Sequence, residues 1–367
     1  MIRMVELFAG IGAQATAMEE LGLEHESIVC EIDEYAYRSY CAIHGETPNL
    51  GDITKVEHLP DCDLLTYSFP CQDLSIAGKG RGMAEGTGTR SSLLWEVGRL
   101  LRDAQERERA PEVLLMENVD MILNSNNIKD FQKWISTLSD MGYTSSYKVL
   151  NAKDYGVPQS RSRCFMVSMT KGRRFIFPQP CPDGRVMRDI LEDEPDESVF
   201  LSEEQIEGYE RHRQRHEDAG HGFGWRPSEP VGVAHTITTK QDRPSSNFII
   251  VIGDLNSPHR LEMTNRVNSP EGISPTICAN VRKSGGSLIE DVRSGRIRIR
   301  CLTPRECFRL QGFPDEAFDR AAEVNSNSRL YKQAGNSIAV PCLKAIFQGI
   351  YIERSWVKTL SLEAWCR

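Results

Sequence analysis

Residues 4–15 read MVELFAGIGAQA, and this stretch decides the fold. Met4–Phe8 is mostly apolar, as in a buried strand, and Gly10 and Gly12 then follow the pattern G-x-G-x-x-G/A at the start of a helix. In a doubly wound α/β sheet such a glycine turn follows the first strand and lets the backbone approach a nucleotide-like cofactor. Glu31 comes about 20 residues later, where a carboxylate can bind ribose hydroxyls. The pattern alone leaves NAD, S-adenosylmethionine and a glycine turn without a ligand open.

Working outward, the first 170 residues alternate strand-like and helix-like segments, which predicts an α/β fold with a doubly wound, Rossmann-like sheet. The predicted strands are Met4–Phe8, Ser27–Asp33, Asp63–Phe69, Glu112–Val119, Ser146–Asn151 and Arg163–Met169. The predicted helices are Gln14–Leu21, Glu34–Ile43, Ser91–Glu108 and Ile128–Met141. A glycine follows three of these helices, and glycine favours a helix end because it accepts the left-handed cap conformation.

After Lys171 the alternation stops, and prolines, an acidic run and short β-like pieces indicate a second, smaller, β-rich domain to about residue 300. The β-like pieces are Ala234–Thr239, Phe248–Ile252 and Ser274–Ala279. Helical character returns from Thr303, and Ser337–Trp356 is predicted as a closing helix. We therefore predict a discontinuous large domain, residues 1–172 with 322–367, around an inserted domain at 173–321.

The amino-acid composition excludes several classes of protein. With 367 residues, 40% hydrophobic and 26% charged, the chain is long enough for about two folded domains, which excludes a disordered or collagen-like protein. No apolar stretch approaches the roughly 20 residues of a membrane span, and the amino terminus lacks the features of a secretory signal. The eleven cysteines never form a C-x-x-C pair, so we expect reduced thiols, no metal site and a cytoplasmic protein.

The net charge of −8 argues against a strongly basic nucleic-acid binder, but the charge is unevenly distributed. Residues 187–210 hold ten acidic residues and one basic residue, whereas residues 281–310 hold eight basic and three acidic residues. A local basic face can bind phosphate whatever the total charge, because salt screens charges beyond about 8–10 Å. The same basic run also fits a solvated edge strand.

Three strand regions deliver reactive side chains toward what can be one cleft. Cys71 follows Pro70 at the end of a predicted central strand, Glu117 lies near the end of the next, and Arg161 and Arg163 precede or begin another. Each has a structural alternative, since a cysteine is commonly a small core residue and Glu117 can form a salt bridge with Arg163. Together, a thiol, a carboxyl and a guanidinium fit one reaction.

The order of these motifs resembles that of DNA (cytosine-5)-methyltransferases of bacterial or phage type. The resemblance rests on Phe8–Gly12, Phe69-Pro70-Cys71-Gln72, Glu117-Asn118-Val119, Gln159-x-Arg161-x-Arg163, Thr303–Cys307 with Leu310–Pro314, and Gly335-Asn336-Ser337. It covers nearly the whole chain except roughly Lys171–Gly295. It implies a Rossmann-like methyltransferase sheet in which the inserted β-rich domain is a target-recognition domain.

The chemistry that the resemblance implies is methyl transfer from S-adenosylmethionine to C5 of a cytosine flipped out of double-stranded DNA. Cys71 is expected to add to C6, which makes C5 nucleophilic. Glu117 is expected to bind N3 and the exocyclic amine, for which a proton-donating form needs a raised pKa. Arg163 is expected to hold O2 with Arg161 in support. No residue in the sequence identifies the base that removes the C5 proton.

The resemblance also implies the binding residues. The residues expected around the cofactor are Phe8, Ala9, Gly10, Ile11, Gly12, Glu31, Ile32, Asp52, Ile53, Pro70, Leu93, Asn336 and Ser337. The residues expected to contact DNA are Gln72, Ser75, Lys79, Arg81, Thr276, Ile277, Arg298 and Arg300. The glycine-rich segment 73–90, directly after Cys71, is expected to be a mobile lid over the flipped base.

Other classes of function stay open at this point. The same mechanism can act on transfer RNA, although the length of the inserted domain favours DNA. The glycine turn alone fits an oxidoreductase, and a DNA-binding protein without catalysis would leave Cys71 idle. We expect a monomer that binds double-stranded DNA and no membrane, with a cognate restriction endonuclease acting separately as one candidate partner. His212, His216 and His221 fit an exposed helix better than a metal site.

Overall fold

A six-stranded sheet organises the large domain of the computed structural model, which describes residues 1–70, 90–200, 202, 204, 267–268, 274–275, 288–291 and 298–358. The strands in chain order, including a short one outside this sheet, are β1 Ile2–Leu7, β2 His25–Cys30, β3 Leu64–Tyr67, β4 Val113–Val119, β5 Thr144–Asn151, β6 Gln159–Ser160 and β7 Ser162–Met169. The spatial order is β2-β1-β3-β4-β7-β5. Strands β1 to β4 are parallel, and β7 runs antiparallel between β4 and β5. The predicted doubly wound α/β fold is confirmed.

This topology fixes where a ligand can bind. Chain order reverses between β1 and β3, and in open α/β sheets the crevice outside the carboxyl ends of the strands at such a reversal is the binding place. Because β7 is antiparallel, its first residues lie at the same edge of the sheet as the last residues of β4, and Arg163 pairs with Val119. The glycine turn, the end of β3, Glu117 and Arg163 therefore share one edge.

Eight α-helices surround the sheet in the part of the chain that the structure describes. They are α1 Ala13–Glu20, α2 Glu34–His44, α3 Leu94–Glu106, α4 Ile128–Asp140, α5 Pro304–Gln311, α6 Asp315–Val324, α7 Asn327–Asn336 and α8 Val340–Phe347. Helix α5 begins at a capping box in which Thr303 Oγ1 accepts from the Glu306 N–H and the Glu306 carboxylate accepts from the Thr303 N–H. Each helix predicted in the first 170 residues is present, with its limits shifted by a few residues at most.

Two apolar clusters pack on the two faces of the sheet. Side chains alternate along a strand, so Met4 of β1 belongs to the cluster with α1 and α8, while Val5 belongs to the cluster with α3 and α4. Leu302 and Phe308 are buried in the first cluster, so the segment from residue 302 packs with the first strands. The domain limits 173 and 321 stay a prediction, and this packing favours a second junction nearer residue 300.

The predicted closing helix Ser337–Trp356 is wrong in its limits. Ser337 follows α7 in an extended conformation, and α8 begins only at Val340, next to Pro341. Proline lacks a backbone N–H and suits the first turn of a helix, which explains why the helix begins there. The helix ends in a π-helical turn, Gln348–Ile352, and Trp356 lies in a strand that pairs antiparallel with residues Arg173–Phe175.

Short strands mark the described parts of the second region. In chain order, β8 is Arg173–Phe175, β9 Val267–Asn268, β10 Ser274–Pro275, β11 Leu288–Asp291, β12 Arg298–Cys301 and β13 Trp356–Lys358. Strands β12, β11 and β9 form one sheet, and β10 pairs in parallel with β6. The predicted pieces Ala234–Thr239 and Phe248–Ile252, the rest of Ser274–Ala279, and the three histidines lie outside the described residues.

No helix within the described ranges combines the length and the hydropathy needed to cross a membrane.

Candidate active site

The glycine turn after β1 has the backbone that the sequence predicts. Phe8, Gly10 and Gly12 all have positive φ, at 61°, 60° and 82°. At Gly12 a Cβ would lie 2.4 Å from His44 Nε2 and 2.7 Å from Tyr40 Cε2, so packing from α2 requires glycine there. At Gly10 a Cβ would meet no atom within 4 Å. The turn is therefore tightly packed behind Gly12 and open in front of Gly10, as a cofactor cradle requires.

Glu31 closes one side of this turn. One oxygen of its carboxylate accepts from the Gly10 N–H at 2.8 Å, and the other accepts from the Asp33 N–H at 2.8 Å. Burial raises the pKa of Glu31, while these backbone hydrogen bonds oppose the rise. Each oxygen keeps further acceptor capacity, so the group fits two donated hydroxyls of a ribose. The neighbouring Ile32 is 74% exposed, which leaves an apolar side chain open to a ligand.

Asp52, also predicted to contact the cofactor, caps a short helix. Its Oδ1 accepts from the Thr54 N–H at 3.0 Å and from the Thr54 hydroxyl at 2.8 Å, and so begins the short 3₁₀ helix Ile53–Lys55. The hydrogen bond from the Thr54 hydroxyl holds the pKa of Asp52 below its ordinary value. Its second oxygen can accept from an adenine amine. Ile53 is buried, and Leu93 is half-buried just before α3.

Glu117 and Arg163 face each other across strands β4 and β7. Arg163 Nε lies 3.3 Å from Glu117 Oε1, and the side chains are 16% and 10% exposed. The structural salt bridge that the sequence allows is thus present. Burial raises the pKa of Glu117, and the charges of Arg163 and Arg161 oppose the rise. The carboxyl is therefore closer to a proton-donating state than an exposed glutamate, which is what protonation of a pyrimidine nitrogen needs.

Asn118 ties the end of β4 to the segment that leads to Cys71. Its Nδ2 donates to the Phe69 carbonyl at 2.9 Å, and its Oδ1 accepts from the Val119 N–H at 2.9 Å. Asn118 is buried, so these hydrogen bonds are shielded from water. Asn118 belongs to the motif Glu117-Asn118-Val119, but the motif alone assigns it no role. Its position directly after Glu117 was the available signal.

Arg161 points to the carboxyl-terminal segment. Its Nη2 donates to the Gly335 carbonyl at 3.1 Å and to the Ser337 carbonyl at 2.8 Å, so it holds the turn that carries Asn336. Asn336 is exposed at this turn, whereas Ser337 is buried. The geometry makes Arg161 a positioning residue for the predicted cofactor wall. Its predicted support of the pyrimidine stays a prediction.

Several predicted site residues lie outside the described residues, namely Cys71, Gln72, Ser75, Lys79, Arg81, Thr276 and Ile277, together with residues 73–89 of the predicted lid. Arg298 and Arg300 lie on β12, at the end of its sheet, where the backbone is described. Pro70, the residue before Cys71, is described and half-buried. The structure thus pairs the carboxyl with the guanidinium and places the glycine turn at the same edge of the sheet, and it describes the chain up to the residue before the thiol.

Known proteins resemble this chain in sequence and in fold. A family model described as C-5 cytosine-specific DNA methylase matches residues 2–351. The type II methyltransferase M.HpaII of Haemophilus parainfluenzae is 32% identical over 93% of this chain and 87% of its own length. The type II methyltransferase M2.ScrFI of Lactococcus lactis subsp. cremoris is 29% identical over 96% of this chain and 99% of its own length.

Among solved structures, the Entamoeba histolytica methyltransferase EhMeth superposes with a TM-score of 0.70 at 14% identity, covering 96% of this chain and 99% of that one. At this identity the likeness concerns the fold.

Proposed function

The chain belongs to the C-5 cytosine-specific DNA methylase family, and we propose that it methylates C5 of a flipped-out cytosine in double-stranded DNA, with S-adenosylmethionine as donor and Cys71 as nucleophile. Membership makes it a DNA (cytosine-5)-methyltransferase. The observation that carries the mechanism is the buried carboxyl of Glu117 beside Arg163, on the strand next to the one that leads into Pro70 and Cys71.

The donor site of this proposal consists of the glycine turn with Glu31 and Asp52. Glu31 would accept from ribose hydroxyls, Asp52 from the adenine amine, and Ile32 would pack on the adenine ring. The open space in front of Gly10 and the free acceptor capacity of both carboxylates support this assignment. When bound, the donor supplies a methyl group on a sulfonium sulfur. Asn336 and Ser337, held by Arg161, would close the site from the carboxyl-terminal side.

The proposed pyrimidine site would make C5 of cytosine nucleophilic enough to accept a methyl group. C5 is a poor nucleophile, but addition of the Cys71 thiolate to C6 turns the C5–C6 double bond into an electron pair on C5. Protonated Glu117 would donate to N3 and stabilise the charge that moves onto the ring, and Arg163 would donate to O2. C5 would then bond to the methyl carbon as the bond between that carbon and the sulfonium sulfur breaks, with the electron pair remaining on sulfur. Loss of the C5 proton to a base restores the double bond and expels the thiolate.

The base must leave the helix to reach these groups. The side chains of Glu117 and Arg163 are mostly buried, so a base stacked in a duplex cannot place N3 and O2 beside them. Flipping costs a few kcal/mol of unstacking and unpairing. We assign sequence reading to the inserted region, where Thr276 and Ile277 follow β10 and Arg298 and Arg300 lie on β12. Strand β10, which directly precedes Thr276 in the sequence, pairs with β6, and this pairing supports the assignment.

The biological setting that we propose is modification of a DNA target that a separate restriction endonuclease cleaves. The two relatives described above are named type II methyltransferases, and this name supports the setting. Methylation of transfer RNA is the alternative substrate, and the DNA methylase family match favours DNA.

A methylation assay with two substrates tests the proposal. The purified chain is supplied with a methyl-labelled donor and with either unmethylated duplex DNA or transfer RNA, and bisulfite sequencing maps the product. We expect label in DNA alone, on C5 of cytosine within one recurring sequence, and its loss in Cys71→Ser. Label confined to transfer RNA, or methylation of DNA at another atom, would contradict the proposal.

A further inference from the structure

Asn49 links the backbone of Glu31 to that of Gly51, the residue before Asp52, and sequence patterns assign it no role. Its Oδ1 accepts from the Glu31 N–H at 3.0 Å and from the Gly51 N–H at 2.9 Å. Its Nδ2 donates to the Glu31 carbonyl at 3.0 Å. One exposed amide side chain thus binds the backbone of Glu31 at both of its polar groups, and it also binds the residue before Asp52.

These contacts continue the sheet where backbone pairing stops. The Val29 N–H donates to the Pro48 carbonyl at 2.9 Å, and the Leu50 N–H donates to the Val29 carbonyl at 2.8 Å, which makes residues 48–50 a short parallel neighbour of β2. At Gly51 the chain turns away with φ of 72°. Among the residues that the structure describes, Glu31 therefore has no backbone hydrogen-bond partner on this side, and the Asn49 amide takes the place of one.

The turn at Gly51 is held at both of its polar groups. Asn49 accepts from its N–H, and the thiol of Cys30 donates to its carbonyl at 3.1 Å. Asp52 follows immediately and directs its carboxylate by capping the helix Ile53–Lys55. Moving Asn49 would shift Gly51 relative to Glu31, and hence change the distance between the two carboxylates that face the donor.

We propose that Asn49 is a positioning residue that sets the spacing of Glu31 and Asp52 and thereby the affinity for the adenosine half of the methyl donor. This inference rests on the proposed function, because it concerns the same donor site. Asn49 touches neither Glu117 nor Arg163 by any hydrogen bond of the described residues, so it acts on donor binding and leaves the pyrimidine chemistry unchanged.

The test compares binding of S-adenosylhomocysteine and of 5′-methylthioadenosine, which lacks the amino-acid end, by calorimetry. Asn49→Ala removes three hydrogen bonds, so we expect its Kd for both ligands to rise by about tenfold or more. We expect the KM for the methyl donor to rise in parallel, while the KM for DNA and kcat at saturating donor stay within about twofold of wild type. A merely structural role would not produce this separation.

Asn124→Ala is the matched control, because Asn124 Oδ1 also accepts from two backbone N–H groups, those of Asn126 and Asn127, in the turn between β4 and α4, and these hydrogen bonds reach neither Glu31 nor Asp52. We expect the control to lower the melting temperature and to leave ligand binding unchanged. Asn49→Asp keeps the shape of the side chain and its accepting oxygen, but it replaces the donor by a charged acceptor that faces the Glu31 carbonyl, which provides a second variant if Asn49→Ala does not fold.

The outcomes separate this inference from the proposed function. If wild type binds S-adenosylhomocysteine and both Asn49 variants bind it equally well, the inference is wrong. It is also wrong if Asn124→Ala weakens binding as much as Asn49→Ala. If wild type binds neither ligand and methylates nothing, the proposed function fails instead.

Discussion

Glu6 is a carboxyl in the middle of β1 with no exposed surface, on the face of the sheet that supports the glycine turn. The Tyr40 hydroxyl donates to its Oε1 at 2.5 Å, and the Tyr40 ring packs behind Gly12. Burial raises the pKa of Glu6 from 4.5 to about 7, although the Tyr40 hydrogen bond opposes the rise. Below about pH 7 the folded state therefore favours a neutral carboxyl on Glu6.

This raised pKa predicts a pH-dependent stability. Below about pH 4.5 the folded and unfolded chains both hold the proton, and the contribution of Glu6 is fully present. As pH rises to about 7 the unfolded chain releases the proton first, so the free energy of unfolding falls by up to about 3 kcal/mol. Glu6→Gln is neutral at every pH. We therefore expect the unfolding free energy of Glu6→Gln in urea, minus that of wild type, to increase by this amount between about pH 5 and about pH 8.5.

The exposed substitution Glu26→Gln is the control and should track wild type across the same range. If the unfolding free energy of Glu6→Gln also follows that of wild type across this pH range, then burial does not keep Glu6 neutral in the folded state. Its assigned role in supporting the glycine turn is then wrong.

At the scale of helices, three buried side chains complete the carboxyl ends of α5 and α7. The last carbonyls of a helix have no partner within it. Gln159 Nε2 donates to the Leu310 carbonyl at 2.7 Å, Gln311 Nε2 donates to the Ala334 carbonyl at 2.8 Å, and Arg161 donates to the Gly335 carbonyl. All three donors are buried. Motifs that are distant in the sequence are thus held together, because side chains of one motif donate hydrogen bonds to the last carbonyls of a helix in another.

This arrangement predicts that substitution of Arg161 mainly lowers stability, whereas substitution of Arg163 mainly lowers the rate of methylation. Arg161→Met leaves the Gly335 and Ser337 carbonyls without their donor, so we expect a loss of about 2–5 kcal/mol in the free energy of unfolding. In Arg163→Met, Glu117 can take up a proton in place of its lost partner, so we expect a smaller loss of stability, but the proposed donor to O2 of cytosine is gone, so we expect a far larger loss of kcat for methylation. Urea unfolding and single-turnover methylation measure the two effects. A less stable Arg163 variant with wild-type turnover would refute this division of roles.

At the scale of the whole molecule, sequence patterns predicted the structural features that depend on residues close together in the chain. The alternation of apolar strands and glycine-terminated helices predicted the doubly wound sheet, and the glycine pattern predicted the turn to which Glu31 is hydrogen-bonded. The position of β7 between β4 and β5 depends on pairing between segments far apart in the chain, which periodicity does not encode. The limits of the closing helix depended on Pro341 and on pairing of Trp356 with Phe175.

The positioning amides escaped prediction for a related reason. Asn49 and Asn118 bind backbone groups, and every residue has those groups, so no complementary residue type marks the contact in the sequence. Arg161 and Arg163 looked alike because they share a motif. Only the packing of α7 shows that one of them faces helix carbonyls and the other faces Glu117.

The central claim, a transient bond between Cys71 and C6 of cytosine, is tested most directly by trapping. Duplex DNA carrying 5-fluorocytosine at the methylated position cannot lose its C5 substituent after methyl transfer, so the thiol stays bound. With the methyl donor present, we predict a denaturation-resistant complex whose digestion yields one modified peptide, with the base attached to Cys71, and no complex from Cys71→Ala. An adduct on another residue, or an equal yield of complex from Cys71→Ala, would contradict the account.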